Sequence, residues 1–190
     1  MIRAFIAILF LLSALPAQAG LLLDQNLFYY TNAMNTSATE SYQHYHVSMS
    51  VSASIPKDYF LGWKSTFFSD TQQGSAGTMK VASGLEMGPR AGMYFTKSHW
   101  TSVAVTYLPI HKATYTSDTG TVSTLSGSGF EFELAFHPEI TSVLCPGFSL
   151  LYHLGSYSSS TNSTNTISDV SYTRNGFYPS IYLHWKLGSE

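Results

Sequence analysis

A two-residue alternation of apolar and polar side chains, held over long segments, restricts this chain to β-structure. In residues 42–55, Tyr45, Val47, Met49, Val51, Ala53 and Ile55 share one face. His44, His46, Ser48, Ser50, Ser52 and Ser54 share the other. Successive strand side chains point to opposite faces, so the segment has one apolar and one polar side. Residues 130–137 repeat the pattern, with Phe130, Phe132, Leu134 and Phe136 set against Glu131, Glu133, Ala135 and His137. A strand tilted through a bilayer needs about 9–11 residues. The segment 42–55 exceeds that length.

The same period recurs along the chain. Residues 59–71 place Tyr59, Leu61, Trp63 and Phe67 opposite Gly62, Lys64 and Thr66. Residues 78–95 place Val81, Leu85, Met87, Ala91, Met93 and Phe95 opposite Lys80, Gly84, Glu86, Gly88, Arg90 and Gly92. Trp100 opens a further segment in which Val103, Val105 and Tyr107 alternate with Ser102, Ala104 and Thr106. Leu144, Phe148, Leu150, Tyr152 and Leu154 oppose Cys145, Gly147, Ser149, His153 and Gly155. Ile181, Leu183, Trp185 and Leu187 oppose Ser180, Tyr182, His184 and Lys186. Residues 23–34 form a less regular first strand, which brings the count to eight. Pro56-Lys57-Asp58, Lys97-Ser98-His99 and His137-Pro138-Glu139 read as short turns, and residues 72–77, 117–128 and 158–170 as polar loops. Pro89, Pro146 and Pro179 fall inside strands, and Gly88-Pro89 reads as a bulge.

Arg3, the apolar run Ala4 to Leu15 and Ala17-Gln18-Ala19 have the form of a secretory signal peptide. Cleavage before Gly20 is expected, leaving residues 20–190 as one domain. Only 11% of the chain is charged, against roughly 25% in soluble domains. The net charge of −2 implies no nucleic-acid partner. Cys145 is the only cysteine, so no disulfide framework forms. No stretch after residue 20 is apolar for long enough to make a transmembrane helix. A membrane location therefore requires a closed barrel, in which every backbone group pairs with a neighbouring strand.

On these residues the chain resembles the small bacterial outer-membrane β-barrels grouped around OmpX and the OmpA membrane domain. The resemblance spans residues 20–190 and includes the amphipathic last strand from Tyr178 to Leu187, read in such families by the barrel assembly machinery. The chain departs from them by continuing through Gly188-Ser189-Glu190 instead of ending on an aromatic residue. The resemblance implies an all-β, transmembrane, antiparallel up-and-down barrel with short periplasmic turns and longer external loops. Its location would be the outer membrane of a Gram-negative bacterium, and its partners outer-membrane lipid and lipopolysaccharide. Tyr59, Phe60, Trp63, Phe95, Trp100, Tyr178 and Trp185 gather near strand ends and suit the membrane–water interface.

If the apolar faces meet lipid, the polar faces fill the lumen. Lys64, Lys80, Glu86, Arg90, Glu131, Glu133 and Lys186 then lie inside, with His44, His46, His153 and His184. An eight-stranded barrel is wide enough only for side chains. Buried charges must be paired, so an ion-pair network is expected to join Arg90 and Lys64 to Glu86, Glu131 and Glu133 and to plug the lumen. A structural or surface-interaction barrel is the leading reading, with loops 117–128 and 158–170 as external contact surfaces. A narrow, porin-like channel for small solutes or ions is the alternative. A lipid A-modifying enzyme is a further alternative, for which His44, His46 and Ser48, or His153 and Ser156, would have to supply a Ser–His pair. No catalytic residue is assigned. His44 and His46 lack a third metal ligand, and neither a metal nor a cofactor is expected. The last alternative is a soluble barrel with its apolar face turned inward.

Overall fold

The computed structural model describes residues 20–31, 41–55, 58–73, 79–117 and 119–187. The expected signal peptide at 1–19, residues 74–77 of the first polar loop, Pro56-Lys57 and Gly188-Ser189-Glu190 lie outside the described residues. Eight strands follow in order: β1 Leu21–Thr31, β2 Ser41–Ile55, β3 Tyr59–Gln73, β4 Met79–Tyr94, β5 Thr101–Thr116, β6 Val122–Phe136, β7 Leu144–Asn162 and β8 Ile167–Leu187. Each pairs antiparallel with the next, and β1 pairs antiparallel with β8 to close the ring. Closure leaves no edge strand with unpaired backbone groups. No helix occurs among the described residues.

The alternation sorts side chains between the two surfaces of the ring. Along β2, His44, His46, Ser48, Ser50 and Ser52 are buried, and Tyr45, Val47, Met49 and Val51 are exposed. Phe130, Phe132, Leu134 and Phe136 of β6 face outward, as do Phe148 and Tyr152 of β7 and Phe177 and Ile181 of β8. The apolar residues therefore lie outside and the charged ones inside, opposite to a barrel with an apolar core. Small apolar clusters do occur within the ring. Leu22, Phe60, Tyr94 and Ala104 make one, and Phe68, Ala113, Leu125 and Tyr157 another.

Several expectations need correction. Residues 122–128, 158–162 and 167–170 are strand, not loop. Ser and Thr occupy both faces there, so the period that marks a strand has no contrast to show itself in. At that end the β5–β6 and β7–β8 connections are 117–121 and 163–166, and at the opposite end the β4–β5 and β6–β7 connections are 95–100 and 137–143; residues 32–40 and 74–78 lie outside the described residues. The longest strands are β7 and β8, at 19 and 21 residues. The first strand starts at Leu21, two residues before the 23–34 reading, and residues 32–34 of that reading lie outside the described residues.

The register irregularity does fall at Gly88-Pro89, but the extra residue is on the facing strand. The β4–β5 register shifts between Met87 and Arg90, and the β5–β6 register between Leu108 and His111. Gly88 and Pro89 face three residues, 107–109, so the extra residue belongs to β5. Pro109 and Ile110 both face outward as a result, and His111 turns inward. Without the bulge His111 would share the outer face of Tyr107, because one residue of slip exchanges the two faces. Gly88 lies across from this bulge, and a Cβ there would overlap the carbonyl oxygen of Tyr107. Gly88→Val should therefore force β4 and β5 apart, lowering stability by about 3 kcal/mol. Urea unfolding of the refolded protein, followed by tryptophan fluorescence, measures this loss.

Candidate functional site

The interior of the ring is an ionic network in two connected groups. In the first, Lys64 of β3 pairs with Glu131 and, at 3.0 Å, with Glu133 of β6. Arg90 of β4 pairs with Asp24 of β1 and with Glu133, and donates to Ser50 Oγ at 2.8 Å. Asp24 accepts a further hydrogen bond from Tyr182 at 2.6 Å, and His184 Nδ1 lies 2.6 Å from the same carboxylate. Asn26 donates to Ser48 and Glu133 and accepts from Ser149. The Arg90 guanidinium also lies 4.9 Å from the centre of the Phe60 ring.

The second group lies toward the 117–121 end. His44 and Asp70 are paired, and Tyr42 donates to Asp70 at 2.9 Å. Arg174 of β8 donates to Glu86 at 2.9 Å and approaches Asp70 at 3.4 Å. Its guanidinium covers the Phe68 ring at 3.6 Å. His111 Nδ1 and His153 Nε2 lie 3.1 and 3.4 Å from Glu86 Oε1. Tyr178 stacks on His44 and His46, with ring centres 4.7 and 4.6 Å away.

The structure thus brings Lys64, Arg90, Glu131 and Glu133 together. Glu86 does not join them: its cation is Arg174, because it faces β5 and β7 rather than the Lys64 level. His44, His46, His153 and His184 are all inside. Lys80 is exposed at the β4 end, and Lys186 lies 3.5 Å from Glu139 near the other rim. Tyr59, Trp63, Phe95 and Trp100 are exposed on the outer surface, while Trp185 is half-buried. Phe60 and Tyr178 belong to the lumen, since their positions are in phase with Lys64 and Tyr182. Ser156 faces outward and so opposes His153 across the strand, and neither ring nitrogen of His46 has a hydrogen-bond partner. Among the described residues, Ser102 Oγ lies 3.3 Å from His137 Nε2, at the 137–143 end. Burial there pushes the His137 ring down to about 3.

Asp24, Asp70, His111, His137 and Arg174 are functional-looking residues that the sequence reading passed over. Arg174 could have been found by running the alternation of Tyr178, Ser180 and Tyr182 backward by four residues. Among the described residues, five carboxylates (Asp24, Asp70, Glu86, Glu131 and Glu133) face three cations (Lys64, Arg90 and Arg174) in the lumen. The difference is a formal −2 before any histidine takes a proton. Comparison with known protein families, characterised proteins and solved structures finds no match for this chain.

Removing one partner of such a pair strands a buried charge. Arg90→Ala leaves Asp24 and Glu133 without their guanidinium and should cost about 3–5 kcal/mol. Lys112→Ala, at an exposed site, should change stability by less than about 0.5 kcal/mol. Parallel urea titrations of the two variants test the contrast.

Proposed function

We propose that this chain is an integral protein of the bacterial outer membrane, an up-and-down barrel with a structural or surface-contact role and a sealed lumen. The observation that carries this reading is the inverted surface. Phe148 is 55% exposed and Ile181 64%, while Arg90, Lys64, Glu86 and Glu131 are almost wholly enclosed. Such a surface in water would be one large apolar patch, which a soluble monomer does not tolerate. Facing lipid, it is the ordinary exterior of a membrane barrel.

Aromatic residues mark both ends of the apolar zone. Tyr59, Phe95 and Trp100 stand at one end, and Tyr29, Tyr45 and Tyr172 toward the other. This distribution suits two interfacial girdles. The signal-like residues Arg3 to Ala19 are consistent with export. The short 95–100 and 137–143 connections would then face the periplasm, together with the ends of β1 and β8. The longer β7–β8 hairpin would stand above the outer surface and offer it to contacts. The OmpX and OmpA-type barrels remain the families of which this arrangement is most suggestive.

The reading predicts that the expressed chain partitions with outer-membrane fractions and migrates faster on a gel before boiling than after. Recovery as a soluble periplasmic monomer would refute it. In planar bilayers the wild type should show no sizeable steady conductance, because the ion pairs fill the interior. Arg90→Ala should raise conductance by loosening them. A large conductance in the wild type, unchanged by Arg90→Ala, would identify a channel instead.

A further inference from the structure

We propose that Glu86, His111 and His153 form a binding site for a divalent transition-metal ion of the zinc type, tying β4, β5 and β7 together inside the ring. Each offers one ligand atom, and these atoms lie within 4.8 Å of one another. Two separations are 3.1 and 3.4 Å. Ligand atoms at the corners of a zinc tetrahedron stand about 3.4 Å apart, from zinc–ligand bonds of roughly 2.0–2.1 Å. Two imidazoles and one carboxylate are a common ligand set for zinc and for ferrous iron.

Several polar atoms at this point are buried without a hydrogen-bond partner. Glu86 and His153 are fully buried and His111 nearly so. His111 and His153 approach Glu86 closely, yet neither ring nitrogen of either histidine is aligned for a hydrogen bond. Among the described residues, sixteen buried polar atoms have no hydrogen-bond partner. Seven belong to Glu86, His111, His153, Arg174 and Tyr157. Such atoms are normally satisfied, and their concentration at one point calls for an occupant. Arg174 donates to Glu86 Oε1, the oxygen both histidines approach, as an outer partner that orients a metal-binding carboxylate does, and Oε2 has no hydrogen-bond partner.

The backbone leaves room for the two rings to converge. Gly127 and Gly129 of β6 lie between β5 and β7, and Gly155 lies next to both rings. A Cβ at Gly155 would stand 2.6 Å from the His111 ring and 2.8 Å from His153 Nε2. Tyr157 stacks on His111 at 4.3 Å, and its buried hydroxyl is also unpartnered. Asp70 and Glu86 against Arg174 leave the group around the site at a formal −1, a sign that favours a cation. The proposal does not depend on the membrane reading, because the three residues meet in the closed ring whatever surrounds it.

The test uses the full chain, refolded in detergent, stripped with chelator and reloaded with Zn²⁺ or Co²⁺ alone. One equivalent should bind, and the Co²⁺ form should show the visible bands of low-symmetry coordination. His111→Gln and His153→Gln should each weaken binding at least about tenfold. His44→Gln, in the other histidine group, should not. Migration before and after boiling reports which variants fold. X-ray absorption at the zinc edge of the wild type, which needs no substitution, should find two imidazole ligands. Less than stoichiometric Zn²⁺ on the folded wild type would overturn the proposal. So would a Co²⁺ spectrum that survives His111→Gln, one that is lost in His44→Gln, or a zinc edge lacking imidazole.

Discussion

The seam between β1 and β8 is the contact on which the closed ring depends. Its register runs only from Leu21–Leu187 to Leu27–Ile181, whereas β2 and β3 pair along fifteen residues. Lumen side chains reinforce this short zipper. Asp24 of β1 accepts from Tyr182 and binds His184, both on β8, while Arg90 holds the same carboxylate from across the ring. Asn26 reaches Ser149 on β7. Closing the ring and neutralising its interior are thus one event, because the residue at the seam is also a node of the network.

The ionic interior fixes register more than it adds stability. A buried ion pair gains little net free energy once the loss of hydration is counted. A slip of one residue, however, would turn Arg90, Lys64 or Glu131 to the apolar exterior, away from every partner they have in the network. Each strand that contributes a charge therefore has one acceptable alignment. Prolines fit the same scheme. Pro89, Pro109 and Pro179 all face outward, and Pro109 coincides with the register shift that brings His111 inside.

Much of the fold could be read from the sequence wherever the two faces differ in chemistry. Strands β2 and β6 are the clearest cases, because histidine, serine or glutamate alternates there with aliphatic or aromatic residues. Contrast vanished in residues 122–128 and 158–162, where hydroxyl and glycine positions look alike on both sides, and these read as loops. The inward set was legible for Lys64, Arg90, Glu131 and Glu133, which pair with one another. Asp24 as a partner of Arg90, and Arg174 as the cation of Glu86, were not, since pairing across the ring depends on strand tilt, which no local pattern records. His111 was hidden by the bulge, and Phe60 and Tyr178 because an aromatic ring is equally at home at an interface or in a packed interior.

The hairpin formed by the far halves of β7 and β8 stands apart from this network. Past Tyr157 and Arg174 it contributes no charge to the lumen ion pairs, and its 163–166 turn is held by Asn162 accepting from Thr164 and Thr166. Sequence change is therefore uncoupled there from the seam and the ionic interior. Selection for new surface chemistry, or an engineer inserting a peptide epitope, has in that turn a place where novelty leaves the barrel's assembly untouched.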